Sequence, residues 1–165
     1  CTTMSANEYR SHIVVIPEDA ANLALLNGFL LEPSLNQRNI EREIVAGGWT
    51  KVGQEFEGEH INDMRRYPKR YMVLLVDFDK AKNRLDVMQK SIPDDLKERV
   101  FVLGVWSNPE WTQSELKIKL EDIGKRLAED CKNRTWEFWK DDSFKHNLEE
   151  IARMGDTIRA ILFSS

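Results

Sequence analysis

The chain has 165 residues, 41% hydrophobic and 32% charged, with a formal net charge of −4. These values fit one soluble domain with a single core, and no apolar run approaches membrane-spanning length. The two cysteines, Cys1 and Cys131, support neither a disulfide scaffold nor a cysteine zinc site, and the negative balance leaves nucleic-acid contact to a local basic patch.

Residues 1–11 are polar and expected to be a flexible N-terminus, followed by a single α/β domain over 12–165. No basic flank followed by a long apolar stretch opens the chain, so no signal peptide is expected and a reducing cytoplasmic setting is. The run 12–16, HIVVI, predicts a short buried strand stopped at Pro17, whose nitrogen cannot donate to a ladder. Residues 20–31 carry leucine or phenylalanine around most of a helical circumference, which predicts a buried helix; Glu18 and Asp19 complement the positive end of its dipole. A weaker strand is expected over 42–46, closed by Gly47-Gly48. Residues 52–67 place Phe56, Ile61 and Met64 at loosely helical spacing, but Gly53 and Gly58 argue against a continuous helix.

The apolar run 72–76 predicts a strand buried on both faces, as in parallel sheets. Helices are predicted over 80–91, with Ala81, Leu85, Met88 and Ile92 inward, and over 113–131, with a capping-box pattern at Thr112 and Glu115. Between them, 99–106 predicts another buried strand. Residues 144–154 read as a helix capped by Gly155, and 158–163 as a last strand at a sheet edge. The alternation predicts a three-layer α/β sandwich: a mainly parallel sheet of about 4–5 strands with helices on both faces.

The chemistry concentrates where the strands end. Asp77 and Asp79 close the strand of 72–76 with Phe78 between them, and an extended chain would point both carboxylates the same way. Open α/β sheets bind ligands at the carboxyl ends of their strands, where Glu18 would join the pair. Three converging carboxylates repel unless a divalent cation lies among them, and an oxygen-only set suits magnesium, with manganese as the alternative ion. The competing reading makes Asp79 a helix N-cap, leaves Glu18 and Asp19 as dipole partners, and turns the domain into a non-catalytic module that binds a protein partner. Arg65, Arg66, Lys69 and Arg70 form a basic cluster that would hold nucleic-acid phosphates, although it precedes the strand rather than following it. Trp136, Phe138 and Trp139 read as core aromatics, with base stacking as the alternative.

A strand ending in Glu18, a buried helix, and a later strand ending in Asp77-Phe-Asp79 resemble the TOPRIM domain of topoisomerases, bacterial primases and overcoming-lysogenization-defect nucleases. The likeness spans roughly residues 12–130 and implies magnesium on Asp77 and Asp79, Glu18 as acid/base or further ligand, and phosphodiester chemistry on nucleic acid. Two positions depart from that pattern: Asp19 follows Glu18, and Lys80-Ala81-Lys82 follows the strand, where the family commonly has glycine. Asp77-Phe-Asp79 is also similar to the nucleophile motif of haloacid-dehalogenase phosphatases. That family carries the motif on its first strand, with a threonine shortly after; here it lies on a middle strand with no such threonine.

Overall fold

His12 to Pro17 is buried at every position, as a run rich in β-branched residues must be when both faces are covered. In the computed structural model, which describes residues 10–163, this run is strand β1 (His12–Pro17). It is followed by α1 (Ala20–Phe29), β2 (Ile40–Arg42), α2 (Trp49–Glu55), α3 (Ile61–Arg66), β3 (Arg70–Leu75), α4 (Lys82–Lys90) and β4 (Val100–Leu103). Helices α5 (Pro109–Leu116), α6 (Leu120–Asn133) and α7 (Leu148–Phe163) complete the described chain. Residues 1–9 of the stretch expected to be flexible lie outside the described residues, as do 164–165.

The strands form one four-stranded, all-parallel sheet in the order β2-β1-β3-β4. The three strands expected to be neighbours are neighbours, and β3 is interior, with His12 opposite Arg70 and Met72 opposite Val100. On one face Val14, Ile16, Met72, Leu74 and Val102 pack against Val52, Phe56, Met64 and Met88 from α2–α4. On the other, Ile13, Val15, Val73 and Phe101 meet Leu26 and Leu30 beside α7's Ile158, Ile161 and Leu162. This is the three-layer α/β sandwich. No helix among the described residues is long and apolar enough to cross a membrane.

Several boundaries differ from the pattern-based reading. The second strand is 40–42, not 42–46. Residues 49–66 are helical throughout: Val52, Phe56 and Met64 bury fully and outweigh the two glycines. A π-type turn over Phe56–His60, in which Ile61 N–H donates to Phe56 C=O, adjusts the register between α2 and α3. The helix expected over 113–131 is two helices, separated at Lys117 in the left-handed conformation (φ 56°). Asn108 caps α5 by accepting from Trp111 N–H (2.8 Å) with Pro109 behind it. Thr112 is therefore buried inside α5, its hydroxyl donating to Ser143 Oγ (3.0 Å), and the capping box is not used. Residues 158–163 are helical rather than a strand, because Ile158, Ile161 and Leu162 lie at i, i+3, i+4 and bury one stripe. Gly155 (φ 59°, ψ −158°) is non-helical and divides α7 into two helical pieces, ending the first as expected.

Helix α6 presses closely on α1. A Cβ on Gly28 would lie 2.0 Å from Glu121 C=O, and one on Gly124 would lie 2.1 Å from Leu25 C=O. Leu120, 8% exposed, packs in the cluster of Leu25, Ile123, Leu127, Trp139 and Phe144. Leu120→Ala is expected to lower stability by about 2–5 kcal/mol in chemical denaturation. An unchanged midpoint would mean that this face is not core.

Candidate active site

Strand β1 delivers Glu18 to the carboxyl edge of the sheet. Its N–H still donates to Leu75 C=O (2.9 Å), so the pairing continues one residue past the strand. The chain after β3 also stays paired: Val76 N–H donates to Leu103 C=O and Phe78 N–H to Val105 C=O, each at 3.0 Å. That alternation buries Phe78 (1% exposed) and turns Asp77 to the opposite side, toward α1.

There Asp77 meets Glu18, as the spacing requires, but the third acid is Asp19. One carboxylate oxygen from each of Glu18, Asp19 and Asp77 lies within 4.8 Å of the others. Asp77 N–H donates to Glu18 Oε2 at 2.7 Å. Asp19 caps α1, its Oδ1 accepting from the Asn22 N–H at 3.0 Å. The Asn22 side-chain amide donates to Asp19 Oδ1 and to Asp77 Oδ1, both at 2.9 Å, and so ties the two acids together. Asn22 is fully buried, and its own Oδ1 has no partner among the described residues.

Burial is the largest influence on both strand-end acids. It pushes Asp77 up to about 7, against the Asn22 hydrogen bond, and the charges of Glu18, Asp19 and Glu110 add to the rise. Glu18 is also raised by burial, with the Asp77 N–H opposing. Arg84 supplies positive charge at the rim. Its Nη1 donates to Asp77 C=O (2.8 Å), and its guanidinium lies 5.1 Å from the Trp49 ring centroid.

Asp79 stands apart from this cluster. Its backbone and that of Lys80 are left-handed (φ 51° and 57°), so the extended alternation ends at Phe78. Its side chain is 71% exposed, with Oδ2 3.7 Å from Arg84. It does not cap α4 either, since Ala81 occupies that position and makes no side-chain cap bond.

The basic cluster begins β3, a strand's length of about 20 Å from the acids. Arg70 is buried there, its Nε donating to His12 Nε2 at 3.0 Å, and Arg65 pairs with Asp95 at 3.0 Å. Arg66 and Lys69 are exposed at the same edge. The four cations and the acids therefore occupy opposite ends of the sheet. Trp139 is a core residue whose indole N–H donates to Leu127 C=O (2.9 Å), and Phe138 packs on Phe144.

Asn22 and Arg84 were not legible as site residues. The only sequence signal for Asn22 is its i+3 spacing from a capping aspartate, and Arg84 reads as an ordinary helix cation. As a donor set, three clustered carboxylates suit a hard divalent cation. Compared with family models, with curated proteins and with solved structures, the chain matches none.

Proposed function

We propose that this domain carries out metal-dependent phosphodiester chemistry on nucleic acid, with magnesium or manganese held by Glu18, Asp77 and Asp19. The observation that supports it is the convergence of acids from two adjacent parallel strands and the start of α1 onto one point of the sheet's carboxyl edge. The glutamate and first aspartate of the TOPRIM-like pattern are side by side there, and the third acid beside them is Asp19 rather than Asp79. When bound, such an ion polarises a phosphoryl oxygen and makes water a better nucleophile.

The chain's own groups have distinct tasks in this reading. Asn22 holds Asp77 and Asp19 in fixed orientation. Glu18, anchored by the Asp77 N–H and kept closer to neutrality by burial, takes or returns a proton. Arg84, already among these carboxylates, offers the positive charge that a phosphate needs.

The test is cleavage of single-stranded and duplex DNA and RNA with magnesium or manganese at pH 8. Wild type is expected to cut at least one of them, and Glu18→Gln to slow that reaction by about 100-fold or more. Absence of cleavage with either ion, together with no metal-dependent rise in Tm, would favour a second reading. In that reading the domain is a protein-interaction module, and Asp19 is only the cap of α1, a role its bond to the Asn22 N–H already fits.

A further inference from the structure

The sheet face opposite α2–α4 carries a cavity of about 510 Å³, and none of the three clustered acids lines it. Its floor is Val15, Val73, Leu75 and Leu103, one residue in two along β1, β3 and β4; α1, α6 and α7 wall it. The volume lies within the range of small-molecule sites, about 300–1,000 Å³. Water filling such a space finds few polar partners, and a dry void forfeits dispersion contacts along every wall.

The charged lining residues, Arg134, Asp156 and Arg159, gather at one place. The left-handed turn at Arg134 (φ 57°) and the kink at Gly155 (φ 59°) both border the cavity, bridged by an Arg134–Asp156 ion pair at 2.9 Å. Lys132 nearby is matched by Glu32 at 3.4 Å. Arg159, which also lines the cavity, has no carboxylate within ion-pair distance among the described residues. Its Nη2 donates to Lys132 C=O, while its Nε is buried with no partner among the described residues. Cys131, in the same wall, feels the charge of Arg159, yet burial still pushes its thiol up to about 11. Arg159 and Cys131 thus line the same stretch of the cavity wall. A guanidinium that lines an apolar space without a carboxylate partner is matched by a ligand carboxylate, through a charge-assisted bond.

We propose that this cavity binds an amphiphilic monocarboxylate of the medium-chain fatty-acid type, its alkyl chain over the β-sheet floor and its carboxylate on Arg159. Its apolar floor selects the chain, and the guanidinium selects an anion over a neutral or cationic head.

The experiment is calorimetric titration of the full chain at pH 7 with decanoate, decan-1-ol and decyltrimethylammonium, each below its aggregation concentration. Decanoate is expected to bind saturably at one site, about 10-fold or more tighter than the alcohol, with the ammonium weakest. Arg159→Gln should erase the preference for decanoate over decanol while leaving decanol affinity unchanged. Leu103→Trp, which fills the floor, should weaken both ligands if the variant keeps the wild-type circular-dichroism spectrum. The proposal is overturned if no ligand binds saturably to wild type, if decanol or the ammonium binds as tightly as decanoate, or if the preference survives in Arg159→Gln.

Discussion

Gly104→Ala is expected to lower stability by about 3 kcal/mol or more, roughly 10 °C in Tm for a chain of this size. A Cβ at this position would lie 1.6 Å from Val76 C=O and 2.7 Å from the Val76 carbonyl carbon. Those are backbone atoms of the neighbouring strand's extension, so no rotamer change relieves the overlap. Gly104 is also held from its other side: its N–H donates to Asn147 Oδ1 (3.1 Å), and its C=O accepts from Asn147 Nδ2 (2.9 Å). His146 Nε2 lies 2.7 Å from the same C=O, so the strand cannot simply step away. Inserting a methyl group must displace the segment that carries Val76, Asp77 and Phe78. The same substitution is therefore expected to blunt any metal response as well as to lower Tm. Differential scanning calorimetry with and without magnesium checks both, and an unchanged Tm would show that the two backbones do not approach this closely.

Asp77→Asn is expected to abolish nucleic-acid cleavage and the metal-dependent rise in Tm, while leaving the metal-free protein as stable as wild type or more so. Asparagine keeps an oxygen for the Asn22 amide and the same shape, so little packing changes. What it removes is a carboxyl held at about 7 by burial, against an ordinary value of 3.8. Between those values the folded protein binds more protons at this site than the unfolded chain does. The wild-type contribution is therefore complete below about pH 4 and is lost as pH rises through 7. His146 works the other way. Burial holds it at about 4, below 6.5, so its contribution is present above 6.5 and is lost as pH falls toward 4. The two slopes oppose each other, so the wild-type profile alone hides both, and the difference between wild type and Asp77→Asn isolates the carboxyl. In chelator, the variant should gain on wild type from pH 4 to pH 7. The gain is on the order of 2 kcal/mol once solvent screening of a partly exposed group is allowed for, or about 5 °C in Tm. Adding magnesium or manganese at pH 8 should raise the Tm of wild type alone. Asp79→Asn is the control: it keeps a residue that tolerates the left-handed backbone, and it should stay within about 0.5 kcal/mol of wild type. A variant that loses stability in chelator, beside a wild type that ignores both ions, would remove the metal site and leave Asp77 a structural residue.

The three strands β1, β3 and β4 were legible because they follow from local chemistry. HIVVI and the run 72–76 have no polar alternation, which marks strands covered on both faces, the kind that parallel sheets contain. From that alone Glu18 and Asp77 had to reach the same edge, and the basic cluster preceding β3 had to reach the other. The identity of the third acid was not legible. Alternation by two holds only while the chain is extended, and paired left-handed residues at Asp79 and Lys80 end it, sending Asp79 to solvent and Arg84 back over Asp77 C=O. Nothing local to 79–80 requires that turn; it fits bonds from Asp79 N–H to Ser107 C=O and from Lys80 N–H to Trp106 C=O, partners about 26–28 positions away. The helical 158–163 has the same kind of cause. An apolar run of that length suits a strand or a helix equally, and the pairing of Ile158, Ile161 and Leu162 with the sheet's second face decides between them. Long-range partners, unlike period and propensity, are not written within the window they act on, and so the tertiary structure alone chose Asp19 over Asp79 and left the apolar cavity beneath α7.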